Sequence, residues 1–168
     1  MDQSIPGQQN VSSCTRLPPI DAWDQSSRKG GNMDIERFKR EHVDLLAAVT
    51  DLRDLVQAGV QEHAEAIVHQ LVTMSSVIKL HLAAEDRVLY PALINAADPR
   101  IAHTGKQFQE EMGDLAQAYA AFVSRWNLPA KISKDPQGFR SDANNVFKAL
   151  HLRVQRENRE LYPLAEQI

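Results

Sequence analysis

Cysteine is all but missing: Cys14 stands alone, so no disulfide can form within the chain. Positive charge is not in excess either. Lys and Arg number 19 against 22 Asp and Glu, giving a net charge of -3 and a pI near 6.1. The basic residues are scattered, not striped, which argues against nucleic acid as a partner. Gly and Pro are few, 7 and 8 in 168 residues, and cluster outside the periodic segments, which favours long helices. No apolar run approaches the roughly 20 residues of a membrane span, and MDQSIPGQQNVSS lacks the charged and apolar regions of a signal peptide. The expectation is a cytoplasmic protein without a membrane anchor. Strand signals, a nucleophile with its base and a phosphate-binding loop are also lacking. What remains, 43% hydrophobic and 24% charged residues, is enough for one globular domain with a core.

Residues 1–32 carry Pro6, Gly7, the Pro18 and Pro19 pair and the Gly30 and Gly31 pair without a sustained period, and read as an irregular N-terminal extension. Within it, LPPIDAW (Leu17 to Trp23) is apolar enough to dock on the rest of the chain or on a second copy, with a free tail equally compatible. From residue 33 onward the pattern changes. Asp34 is placed to cap a helix in which Ile35, Phe38, His42, Leu45, Val49, Leu52 and Val56 keep alternating three- and four-residue steps until Gly59. A second helix follows to about Asn95, with Ile67, Leu71, Met74, Ile78, His81, Glu85, Val88 and Ala92 on one stripe. A third starts after Asp98 and Pro99, with Ile101, Phe108, Met112, Leu115, Tyr119, Phe122 and Trp126. After a break at Leu128, Pro129 and the Asp135, Pro136, Gly138 loop, a fourth places Phe139, Val146, Leu150, Arg153, Glu157, Leu161 and Leu164 inward. The expected fold is all-α: an up-down-up-down antiparallel four-helix bundle over residues 33–168.

The chain also repeats itself. EDRVLYP at Glu85 to Pro91 and ENRELYP at Glu157 to Pro163 agree at five of seven positions, and EHVDL at Glu41 echoes EMGDL at Glu111. Two related helical hairpins make the domain, each with a proline closing the regular part of its second helix.

Charged residues in core register are the chemical signal. His81 and Glu85 lie four residues apart, about 400° of helix, so both leave one face a turn apart. An unpaired carboxylate there is costly to bury. Counting back from Gly59 puts His42 roughly 25 Å down the first helix and His81 roughly 30 Å down the second, at similar depth. The same counting brings Met112, Arg153 and Glu157 to that level. Two imidazoles and two carboxylates suit a divalent first-row metal such as iron, manganese or zinc; calcium wants more oxygens and structural zinc more sulfurs. Two other histidines compete as ligands. His103 lies roughly 12 Å from the layer by helical rise, and His151 is about 200° around the helix from Arg153; either joins the site only if the register differs. His63 and His69 read as solvated, and Tyr90 and Tyr162, in equivalent LYP endings, as packing residues at helix ends.

On His42, on the His-x-x-x-Glu of His81 and Glu85, and on the two LYP endings, residues 34–168 resemble the hemerythrin-like proteins, or HHE cation-binding domains. The resemblance implies a four-helix bundle and a non-haem di-iron centre, with roles in binding oxygen, in sensing oxygen, nitric oxide or iron, or in iron-sulfur cluster repair. The match is incomplete. The family pattern expects histidines where this chain has Met112 and Arg153. In the family's logic, His42 and His81 would hold one iron per chain with Glu85 and Glu157, while the Arg153 guanidinium stands in for the second cation.

Three functions follow as expectations. One is a sensor or carrier with one iron and an open position for a small diatomic ligand such as oxygen or nitric oxide. The second is a metal-free interaction module working through a protein partner or a homodimer, with Arg153 bonding Glu85 and Glu157. The third is an enzyme acting on iron, peroxide or a cluster at the same site.

Overall fold

The computed structural model describes residues 33–168; the expected irregular extension, with LPPIDAW and Cys14, lies outside the described residues. Asp34 caps the first helix, α1 (Ile35–Ala58), by accepting from the Arg37 amide, and Gly59, at φ +139°, turns the chain out of it. The second helical run comprises α2 (Ala64–Ala84), a π turn (Glu85–Leu89) and α3 (Tyr90–Ile94). Next come α4 (Pro99–Arg125), capped by Asp98, and a short α5 (Pro129–Lys134). The last run is α6 (Pro136–Arg156), a second π turn (Glu157–Leu161) and α7 (Tyr162–Ala165). All regular structure among the described residues is helical, as an all-α bundle requires.

Cross-helix bonds pair rising with falling numbers: Gln70 with Ala48 and His81 with Glu41, then Trp126 with Asp142 and Arg153 with Glu111. α1 and α2 therefore run antiparallel, and so do α4 and α6. The region expected as a break contains α5, because Ile132 is fully buried and folds the connection onto the core.

Up to the two glutamates the core stripes follow the expected register, except that Phe147 takes the interior in place of Val146, and beyond them they slip by one residue. Val88 is 50% exposed, while Leu89, Tyr90 and Leu93 are buried. Likewise Leu164 is only partly buried, and Tyr162 and Ala165 take the interior. The π turns cause the slip. Each adds a residue to one turn, so the Tyr90 amide bonds the Glu85 carbonyl and the Tyr162 amide that of Glu157, five residues back. Pro91 and Pro163 account for the location. Neither ring has an N–H, and each would clash with a carbonyl four residues upstream in a regular helix.

Two apolar clusters make up the core. One is built around Leu52, Ile67, Leu71, Met74, Phe122 and Phe139, the other around Phe38, Leu89, Leu93, Phe108, Met112 and Leu161. The buried polar residues His42, His81, Glu85, Arg153 and Glu157 lie at the two clusters' junction along the helices. By length and hydropathy alone, the 31-residue run Ala64–Ile94 is able to cross a membrane, although its polar residues break it into short apolar stretches in the sequence. In the bundle its Ile67, Leu71, Met74 and Ile78 face the core, and Glu85 interrupts it.

The second helical run meets α4 at Gly105, where an added Cβ would lie 2.6 Å from the Leu93 Cβ. Gly105→Ala is expected to destabilise the fold by about 1–3 kcal/mol through overpacking. Gly113→Ala, on an open stretch of the same helix, is expected to be neutral or to gain up to about 1 kcal/mol. Urea unfolding of the two variants side by side tests the contact.

Candidate metal centre

His42, His81, Glu85 and Glu157 each offer a donor atom, and these atoms lie within 4.8 Å of one another. All four side chains are at most 3% exposed. Donors around one ion at about 2.1 Å stand roughly 3 to 4.2 Å apart, so a contraction of about half an ångström would seat an ion.

The imidazoles are held from behind. His81 Nδ1 is 3.0 Å from Glu41 Oε2, and the Arg37 Nε donates to the other oxygen of Glu41 at 2.8 Å. Burial works to raise the Glu41 pKa, but the bonds from His81 and Arg37 prevail and keep it low, so its carboxylate accepts and Nδ1 donates. Burial also lowers the His81 pKa, which leaves a neutral ring with a lone pair on Nε2. That nitrogen is the one buried side-chain polar atom among the described residues with no hydrogen-bond partner. His42 is braced in the same way, its Nδ1 3.0 Å from Asn158 Oδ1.

Acceptors outnumber protons at the centre. His42 Nε2 lies 3.1 Å from Glu157 Oε2 and 3.1 Å from the Tyr162 hydroxyl. That phenol is also 3.0 Å from Glu85 Oε1 and has one proton for the two acceptors. The Tyr90 phenol donates to the other Glu85 oxygen at 3.3 Å. Burial, reinforced by the nearby charge of Glu157, raises the Glu85 pKa well above the usual carboxylate range. Such a centre gains from a cation.

Arg153 supplies a cation on one side only. Its Nε donates to Glu157 and its Nη2 to the Tyr90 hydroxyl (3.0 Å) and the Phe108 carbonyl (2.8 Å), while Nη1 lies 3.3 Å from Glu111. Its carbon also sits 4.5 Å from the Phe108 ring centroid. Burial favours the neutral acid in Glu157, yet His42 and Arg153 outweigh it and the pKa falls. The expected direct pairing of Arg153 with Glu85 is not formed: Tyr90 stands between them, accepting from one and donating to the other.

The two tyrosines, read from sequence as packing residues, are therefore the hydrogen-bond donors to Glu85. Five residues of α-helix would leave Tyr90 about 140° away from Glu85; the π turn brings it back onto that face. Met112 is buried in apolar surroundings, and the polar contact at that level comes from its neighbour Glu111. His103 is exposed and outside the cluster, and His151 is exposed and bonded to Gln155 at 2.8 Å. The braces Glu41, Glu111 and Asn158 were not singled out in the sequence. The repeat held the signal for two of them: Glu41 and Glu111 open EHVDL and EMGDL, and support the equivalent residues His81 and Arg153.

A helical bundle with two inward histidines and two inward carboxylates at one level defines a class of cation-binding domain. The family described as Hemerythrin HHE cation binding domain matches residues 33–165, and the chain belongs to it. No curated protein and no solved structure matches the chain.

Proposed function

We propose that this chain is a hemerythrin-like protein holding a single non-haem metal ion, iron by preference, on His42, His81, Glu85 and Glu157. The observation that carries the reading is the buried, unpartnered His81 Nε2 within reach of the carboxyl groups of Glu85 and Glu157. Neutral imidazoles with carboxylates suit ferrous iron, which would supply a redox-active centre for a small diatomic ligand such as oxygen or nitric oxide, or for sensing iron itself. The chain's own residues do the positioning. Glu41 fixes the His81 tautomer, Asn158 holds the His42 ring from behind, Tyr90 and Tyr162 orient Glu85, and Arg153 compensates Glu157 where a second ion would otherwise be needed.

A second reading draws on Arg153 alone: with Glu157 and Tyr90 already bonded to it, the layer forms a metal-free network, open only at His81 Nε2, within an interaction module. Elemental analysis after anaerobic loading with ferrous iron, with His81→Ala in parallel, separates the two. About one metal per chain, lost in the variant, is the expected result. None in either protein supports the metal-free network, and two per chain would overturn the role given to Arg153.

A further inference from the structure

Away from the polar layer, α1 and α6 part to leave a cavity of about 550 Å³. Its floor is apolar, formed by Val49, Leu52, Ala143 and Phe147, which also belong to the larger core cluster. Three cations, Arg53, Arg140 and Lys148, line it, and no carboxylate does. The described residues give these cations no ion pair, whereas Arg37, Lys39, Arg100, Arg125 and Arg156 all have one. In a chain of net charge -3, three cations without an ion pair among the described residues, over an apolar floor, form a local inversion of sign.

We infer that this groove binds an amphipathic carboxylate, a medium-chain fatty acid, with its acyl chain along the floor and its headgroup at the cations. Backbone chemistry decides against an extended peptide. From Leu46 to Val56 the lining of α1 spans ten residues, about 15 Å of rise, a length that a medium-chain acyl group can follow. An extended strand would face helix side chains and leave its own amides without partners. An unbranched acyl chain has no such groups to satisfy, and the volume is in the range of small-molecule sites. The charge then selects the headgroup: an anion gains charge-assisted hydrogen bonds from Arg53, Arg140 or Lys148, a neutral alcohol gains less, and a quaternary ammonium is repelled.

Calorimetric titration of the full chain with dodecanoate, below its micelle-forming concentration, tests this against dodecanol and dodecyltrimethylammonium. Saturable binding of one dodecanoate per chain is expected, with both other amphiphiles at least about tenfold weaker. Ala143→Trp, which fills the floor, should abolish binding. Because that residue is buried, Arg53→Glu with Lys148→Glu serves as an independent variant on exposed positions, expected to weaken dodecanoate by about tenfold or more with unchanged helicity. Equal binding of dodecanol, uptake that does not saturate, or dodecanoate affinity unmoved by the double charge reversal would each overturn the assignment. The metal site lies outside the groove's lining, so iron content is expected to be unchanged in the double variant, and failure of either reading leaves the other intact.

Discussion

Arg153→Ala is expected to cost the metal-free protein about 3–5 kcal/mol of stability, the range for removing one partner of a buried ion pair. Glu157 is 1% exposed, and His42 and the guanidinium together favour its ionised form. The same truncation strips a donor from the Phe108 carbonyl, from the Tyr90 hydroxyl and from Glu111. Urea unfolding in chelator measures the loss; a deficit below about 1 kcal/mol would mean that Arg153 is a solvated side chain in all but geometry. Saturating divalent metal should return more stability to the variant than to the parent, because an ion bound near Glu157 replaces the missing charge. Arg153→His, which recreates the family's helix-four motif, is the counterpart in which metal capacity should rise.

Glu85→Gln should have effects of opposite sign in the two states of the protein. With metal, the amide replaces an anionic ligand, and affinity should fall by more than the roughly 10–100-fold that loss of a supporting group costs. Without metal, the variant should be the more stable. Burial and the charge of Glu157 raise the folded-state pKa of Glu85 above the ordinary carboxylate value. Below the unfolded-state pKa, near 4.3, both states hold the proton and the group contributes no difference. As pH rises past that value, the unfolded chain releases the proton while the folded chain retains it, so stability drains from the parent and not from the variant. The gap between their unfolding midpoints in chelator should therefore widen from pH 4 to pH 7. A constant gap would show that Glu85 titrates as an ordinary carboxylate.

The bundle was legible in the sequence because its signals are local and repetitive. Asp34 and Asp98 mark helix starts by side-chain oxygens that accept from the first amides, Gly59 marks an end by its backbone, and the apolar stripe of α1 emerges as Ile35, Phe38, His42, Leu45, Val49 and Leu52, all buried. His42, His81, Glu85, Arg153 and Glu157 stood out because each interrupts such a stripe. What periodicity could not show was the change of period itself. A count at 3.6 residues per turn runs straight through LYP and assigns Val88 and Leu164 to positions that Leu89 and Ala165 occupy. For the same reason Tyr90 and Tyr162 looked like end packing rather than partners of Glu85. Glu41, Glu111 and Asn158 were hidden differently. Each sits beside a conspicuous residue, and its role depends on reaching a neighbouring helix, which no pattern along one helix encodes.

The polar layer has a mechanical consequence for the whole bundle. Oil-like cohesion fills the molecule on both sides of that slab but is interrupted within it, where Glu85 costs energy simply by being dry. Both widened turns begin at its two carboxylates, so the backbone is least regular where the side chains cohere least. An ion coordinated from three helices would rivet the two halves together at this seam and convert its weakest cross-section into a joint.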